Sequence, residues 1–548
     1  MFKSSNYLYL KRNLNPKNLF AHWKNDLISG FIVAIVALPL ALGFAIASGA
    51  PPETGLYTAI ITGIIASLLG GSSVQVTGPT GAMAVILIDI VNQYGLDKIF
   101  LISLLAGLIQ LTFGILRLGS LAKYIPYSVL SGFTNGIAIV IFFSQLNNFL
   151  GLELKGENNF LNRLIGIISH INEINIYALG LGILSLFILI FWRKINKKIP
   201  PSIIVLIIAV LIIEFFKFPI KTVGAIPQSL PIFQGVPFWN DFSMIQKLMS
   251  AAMAIAALGS IESLLSALAA DSMTPEEKHH SNQELIGQGL GNIIISFFGG
   301  IPGTGAIART AVNIKSGAKT RLSGIFHGLF LLIFVIFLTP LVSKIPLTVL
   351  SAILMYSAYN MFEWESITFL RKTATSDLLV MLITILITVF FDLILAVQIG
   401  LLMAGIIFIK HMSDPHLIRM DNERTAKSGI SDEISKQIAI YRMEGPLFFG
   451  AIGQFMNLLE NLPDVKNVIL RMRFINQMDA SAIIALKNIN TELKKRNIRL
   501  ILTTLRKEVK TKLIKSGILD EIKEENCFNS TQEALENIAH IPHIERNY

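Results

Sequence analysis

What most limits this chain is a succession of apolar runs that fills its first three quarters. A helix needs roughly 20 apolar residues to cross ~30 Å of hydrocarbon. Runs of that order stand at 99–117, 126–149, 176–192, 201–217, 247–270, 322–339, 345–362 and 376–410. Shorter runs, broken by Gly and Pro, stand at 27–48, 55–70, 76–92, 284–298 and 305–315. Dividing 376–410 at Phe391-Asp392 predicts fourteen segments. Charge supports the same partition: residues 1–412 hold 44 of the 82 charges, and the much shorter 413–548 hold 38. The expected layout is an N-terminal segment 1–26, a membrane domain 27–412, a linker 413–435 and a soluble domain 436–548.

Sidedness follows from the loops. Lys3, Lys11, Arg12, Lys17 and Lys24 precede the first run, and the many later runs make that run a retained helix rather than a leader. With this end inside, the cytoplasmic loops hold Arg117/Lys123, Arg193/Lys194/Lys197/Lys198, Lys315/Lys319/Arg321 and Arg371/Lys372, with the exit at Lys410. That is the asymmetry of the positive-inside rule, and it puts both termini in the cytoplasm of an inner-membrane protein. The net charge of +10 invites a nucleic-acid reading, but the excess lies in the membrane part, with 26 basic and 18 acidic residues. Nucleic acid is therefore not an expected partner. The lone Cys527 excludes a disulfide scaffold.

Two segments share a pattern: Val76-Thr77-Gly78-Pro79-Thr80-Gly81-Ala82 and Gly300-Ile301-Pro302-Gly303-Thr304-Gly305-Ala306. Both lead into a short apolar segment, 41 residues after Pro39 and 42 after Glu262 respectively. Such pairing in two seven-segment halves is the signature of a transporter built from inverted repeats. Gly and Pro at membrane depth leave backbone N–H groups unpaired, which is tolerated only inside protein or around a watery cavity. A helix starting at midplane directs those groups, and about +0.5 of charge, at whatever sits there. Two facing starts make an anion site. The alternative is that Gly and Thr only let helices pack closely.

Glu262 and Arg309 lie within apolar surroundings, where each charge costs at least ~2.5–3.5 kcal/mol. A salt bridge between them would be purely structural. In the functional alternative, two helix starts and Arg309 supply about +2, which ionised Glu262 lowers to about +1. Protonating Glu262, or seating a cation beside it, restores the attraction for the anion. Elsewhere His279 and His280, with Glu276 and Glu277, are expected to form a solvated loop rather than a metal site. No GxxxxGK[ST] loop is present, which argues against an ATP-driven pump, and no enzyme constellation stands out. No cofactor is expected.

The run Ala37 to Gly49, Pro51-Pro52 with Gly55-Leu56-Tyr57, and the two broken-helix motifs resemble the sulfate permease family. Gly259-Ser260-Ile261-Glu262-Ser263-Leu264-Leu265 and Asn282 to Gly289 are similar to its bacterial members, bicarbonate transporters among them. The resemblance runs from Asp26 to Ile541. It implies a 7+7 inverted repeat in which a core of segments 1–4 and 8–11 moves, elevator-like, against a gate. The anion would then lie between the starts of segments 3 and 10, against Gly78, Thr80, Gly81 and Ala82 on one side and Thr304, Gly305 and Ala306 on the other. Phe44 falls where relatives place an aromatic beside the anion, and Arg309 matches their segment-10 cation. Glu262 and Ser266 match the coupling-ion positions, where sodium-coupled relatives have Asp and Thr; the longer carboxylate makes a proton at least as suitable as sodium. Leu40 replaces a polar Gln of some relatives.

In the tail, strands are expected at Gln437–Arg442, Val468–Met472 and Ile498–Thr503. Helices are expected at Ser481–Lys495, with Ile483, Ile484, Leu486 and Ile489 inward, and at Lys507–Ser516. This alternation makes a small α/β domain. With Met478-Asp479-Ala480-Ser481 at a strand-to-helix turn it resembles the STAS domain. Ala480 stands where the antagonists of anti-sigma factors carry a phosphorylated Ser, so that switch is absent, and Ser481 is expected to cap the helix. The resemblance implies a homodimer and a cytoplasmic regulator at the tail. The expected function is secondary active transport of a small inorganic anion, sulfate or bicarbonate, coupled to protons or sodium. A C4-dicarboxylate/proton symporter and an uncoupled channel or exchanger are the alternatives.

Overall fold

The computed structural model describes residues 14–152, 160–196, 199–227, 231–235, 242–274, 278–373, 375–391, 393–412, 418–420, 432–444, 447, 462–475 and 477–540. The chain forms two compact units, Met1–Leu401 and Leu402–Tyr548. In the first, fourteen helices account for the fourteen apolar segments: α1 (Trp23–Ala47), α2 (Pro52–Leu69), α3 (Gly81–Tyr94), α4 (Asp97–Ile115), α5 (Tyr127–Ser144), α6 (Ile176–Ile195) and α7 (Pro201–Phe216). The second seven are α8 (Phe242–Met273), α9 (Ser281–Ser296), α10 (Ile307–Lys315), α11 (Leu322–Val342), α12 (Leu347–Met361), α13 (Thr375–Phe390) and α14 (Leu393–Met412), the last continuing into the second unit. Among the described residues, six helices are long and apolar enough to cross a membrane by themselves: α1, α2, α4, α8, α11 and α5 with its continuation to Leu150. By contrast α3 has 14 residues and α10 only 9, about 14 Å at ~1.5 Å per residue, so each reaches only part-way.

Helix pairing displays the inverted repeat. α1 packs on α11 as α8 packs on α4, α2 on α11 as α9 on α4, and α5 on α13 as α12 on α6. Thus α1–α4 and α8–α11 form one bundle, and α5–α7 with α12–α14 the other. Small residues permit the closest approaches. A Cβ on Gly107 of α4 would stand 2.8 Å from the Gly289 carbonyl oxygen of α9, and one on Gly132 would stand 2.7 Å from that of Met381.

Two sequence expectations shift here. The first helix begins at Trp23, so Asp26 is buried inside it, accepting from the Lys319 and Thr320 backbone N–H groups at 2.7 and 3.0 Å. Arg321, expected in a basic loop, is 1% exposed and donates to the Ser67 carbonyl at 2.9 Å.

The second unit holds strands β3 (Ile418–Met420), β4 (Ile438–Glu444), β5 (Asn467–Phe474), β6 (Arg499–Thr503) and β7 (Cys527–Phe528), hydrogen-bonded in that order. β3 runs antiparallel to β4, and the other neighbours are parallel. Side chains alternate across the sheet as the pleat requires. Val468, Leu470, Leu500 and Leu502 face α15 (Ala480–Lys495) and α16 (Lys507–Lys515), whereas Ile469 and Ile501 face the closing helix Thr531–His540. The expected helix 481–495 is present with Leu486 and Ile489 inward and Ile483 partly so, joined by Ala482, Ala485 and Leu493; Ile484 is 58% exposed. Ser481 is not its cap. Asp479 takes that place, accepting from the Ala482 N–H at 2.8 Å, because the helix starts one residue earlier than expected. Most of the 413–435 linker lies outside the described residues.

Candidate anion site

The two Thr-Gly-Ala segments meet. β1 (Thr77–Gly78) and β2 (Thr304–Gly305) pair antiparallel, Thr77 opposite Gly305 and Gly78 opposite Thr304. The Ala306 N–H adds a bond to the Val76 carbonyl at 2.9 Å. Pairing the two breaks satisfies backbone groups that no helix serves at this depth. From the crossing, α3 starts behind Thr80 and α10 behind Ala306, both caps extended. Each start leaves N–H groups without intrahelical partners.

The two starts are finished differently. Thr80 accepts from the Met83 N–H at 3.5 Å and donates to Glu262 Oε2 at 2.8 Å, joining the first break to the carboxylate on α8. Ala306 has no side-chain oxygen to offer its helix. Arg309, one turn into α10 and 1% exposed, donates from Nη2 to the Pro79 carbonyl, while Nη1 has no hydrogen-bond partner among the described residues. It packs on Gly78, where a Cβ would overlap the guanidinium. Among the described residues Arg309 and Glu262 act on each other electrostatically across the cavity edge without forming a salt bridge.

Seven of the expected site residues line one cavity of ≈ 1040 Å³: Phe44, Thr80, Gly81, Glu262, Gly305, Ala306 and Arg309. Leu40 and Lys315 also border it. Four others stand behind its wall. Gly78 backs Arg309, and Ala82 is fully buried in the apolar core with Met83 and Leu87. Thr304 is fully buried, 3.0 Å from Ser263 Oγ and 3.3 Å from the Gly259 carbonyl. Ser266, one turn after Glu262, meets Thr310 Oγ1 at 3.1 Å. A second cavity of ≈ 380 Å³ runs along α3 past Asp89 and Gln93 to Tyr94, and shares Phe44 and Gly81 with the first. The Phe44 ring would lie 3.1 Å from a Cβ on Gly81, so aromatic and helix start together form the partition between the cavities.

Several residues at the crossing were not singled out from sequence. Ser263 accepts the Gly305 N–H at 3.0 Å, and Thr310 accepts that of Val76 at 3.0 Å. Their only sequence signal is polarity one residue after Glu262 and one after Arg309. His279, expected in a solvated loop, is half-buried: Asp271 binds its ring at 2.7 Å and its backbone N–H at 2.8 Å, tying the end of α8 to the start of α9.

Residues 23–384 match the model of the sulfate permease family. The chain belongs to the sulfate permease family. Residues 430–534 match the STAS domain. Over 519 residues the chain is 39% identical to a Bacillus subtilis (strain 168) protein named "Putative sulfate transporter YvdB", covering 93% of this chain and 97% of that one. It is 31% identical over 555 residues to the bicarbonate transporter BicA of Picosynechococcus sp. (strain ATCC 27264 / PCC 7002 / PR-6), covering 96% of each. The transmembrane domain of a cyanobacterium bicarbonate transporter BicA superposes with a TM-score of 0.62 at 32% identity, over 70% of this chain and 98% of that one. Murine Solute Carrier 26 family member A9, at 20% identity, shares the fold with a TM-score of 0.85 over 98% of this chain and 95% of that one. Membership in the sulfate permease family makes the chain a multi-pass anion transporter.

Proposed function

We propose that this sulfate permease family member carries sulfate or bicarbonate across the inner membrane by secondary active transport, with Glu262 taking up the coupling proton or sodium ion. The observation that carries the reading is the Thr80–Glu262 hydrogen bond at the edge of a cavity that also holds Arg309 and the start of α10. The helix starts and guanidinium attract an anion, and an ionised carboxylate beside them opposes it. Neutralising Glu262 removes that opposition, so cation and anion favour each other's binding, which is the reciprocity of a symporter. Gly81 and Ala306 belong to the anion pocket, Phe44 closes it toward the second cavity, and Gly78, Ala82 and Thr304 shape it from behind. Ser266 assists the coupling position by holding α8 to Thr310.

The larger cavity reaches Lys315, at the end of α10 where the basic cluster that the positive-inside rule assigns to the cytoplasm begins, so the site faces inward. Moving the bundle of α1–α4 and α8–α11 against the other would carry it to the smaller cavity. The STAS domain is the binding surface for a cytoplasmic regulator, and the working unit is a homodimer. Uptake of labelled bicarbonate, sulfate and fumarate into proteoliposomes, each under an imposed proton or sodium gradient, tests the reading. Accumulation of sulfate or bicarbonate driven by one cation is expected. Accumulation of fumarate alone would make the chain a dicarboxylate symporter, and equilibration under every gradient would leave a channel or an exchanger.

A further inference from the structure

One face of α9 carries three buried polar side chains at successive turns: Glu284, Gln288 and Asn292, exposed by 2%, 0% and 0%. Spacing of four residues puts them in a row. None lines either cavity. Each instead grips chain next to one of the two breaks. Glu284 Oε2 accepts from the Gly71 and Ser72 backbone N–H groups at 2.7 and 3.1 Å, and Oε1 from the side-chain amides of Gln75 and Gln288 at 2.9 and 2.8 Å. Gln288 Nε2 also donates to Thr77 Oγ1 at 2.7 Å, within β1 itself. Asn292 holds Gly303, just before β2, by both backbone groups: Nδ2 donates to its carbonyl at 3.0 Å and Oδ1 accepts its N–H at 2.8 Å.

A buried carboxylate needs partners, and an apolar face would have packed α9 at lower desolvation cost. What this polar row adds is directional contact with both arms of the crossing from one rigid helix. Thr77 pairs with Gly305 across the crossing and stands three residues before the Thr80 cap, so the Gln288 bond reaches both helix starts. From this geometry we infer that Glu284, Gln288 and Asn292 are positioning residues for the anion site: they set the separation and aim of the α3 and α10 starts without touching the anion. This rests on the anion-site reading above. It assigns α9 the task of keeping two converging dipoles in register, whereas a row that serves folding alone would leave the pocket's affinity unchanged.

The test is a double-mutant cycle on the full chain in proteoliposomes, following labelled sulfate and bicarbonate uptake against anion concentration. Gln288→Leu and Thr77→Val both remove the Gln288–Thr77 bond, Gln288→Leu losing the Glu284 contact as well, and Thr77→Val keeps shape and β-branching, so it reports even where Gln288→Leu does not fold. Each single variant is expected to raise the half-saturating anion concentration about fivefold, the worth of one buried hydrogen bond, with the maximal rate little changed. The double variant should rise no further than Gln288→Leu alone, because Thr77→Val removes a bond that Gln288→Leu has already removed. An unaltered half-saturation in Thr77→Val, or a double variant whose effect is the product of the singles, overturns the assignment while leaving the anion-site reading intact. Absence of saturable uptake by the unmodified protein overturns that reading, and this assignment with it.

Discussion

The two broken-helix starts carry the same Thr-Gly-Ala sequence and use it in different ways. At the first, Thr80 caps α3 and reaches across to Glu262. At the second, the equivalent Thr304 turns back to Gly259 and Ser263, the strand includes the motif's Thr and Gly, and the helix begins two positions later, behind Ala306 with no side-chain cap. The first start is thereby hydrogen-bonded directly to a titratable group, while the second, whose Thr304 lies behind the same carboxylate, is uncapped beside Arg309. A local motif decides where a helix breaks. The elements packed against the break decide what it offers to a ligand.

The largest effect should come from cutting the tie at the first start. Glu262→Gln keeps the shape and removes the ionisable group, so accumulation under an imposed cation gradient should fall to simple equilibration. Accumulation at the unmodified level would show that Glu262 does not couple the two fluxes. Next comes the second start. Arg309→Gln removes a buried guanidinium, and half-saturating anion concentration should rise on the order of tenfold or more, the worth of a charge-assisted hydrogen bond. A smaller change than that of Thr80→Val would invert the contrast drawn between the two starts.

A paired substitution sharpens the comparison further. Thr80→Val should weaken anion uptake roughly fivefold through loss of cap and carboxylate contact. Thr304→Val should instead lower thermal stability, by about 1 kcal/mol, with half-saturation nearly unchanged. Equal effects on uptake would mean that the two threonines serve the anion alike. The tail supplies the mildest case, a capped helix with no ligand to serve. Asp479→Ala should cost about 1 kcal/mol of local stability, read as faster hydrogen exchange in the first turn of α15 of the full chain, with uptake unaltered.

Residue order alone locates the membrane helices, the two that break, the recurrence of the breaks in two halves, and the α/β tail. Each of these is a periodicity or a breaker read within a few residues, which is the range over which backbone preference acts. Which groups meet is a matter of packing. It joined Thr80 to Glu262 across 182 positions and Gly71 to Glu284 across 213, and it sent Ser266 to Thr310 rather than to the cavity. It also buried Asp26 and Arg321, which the charge pattern alone placed outside, by giving each backbone partners from a distant segment. A buried polar group needs a partner, but that partner is chosen by the few ångströms between packed helices, and no local pattern in the chain records that distance.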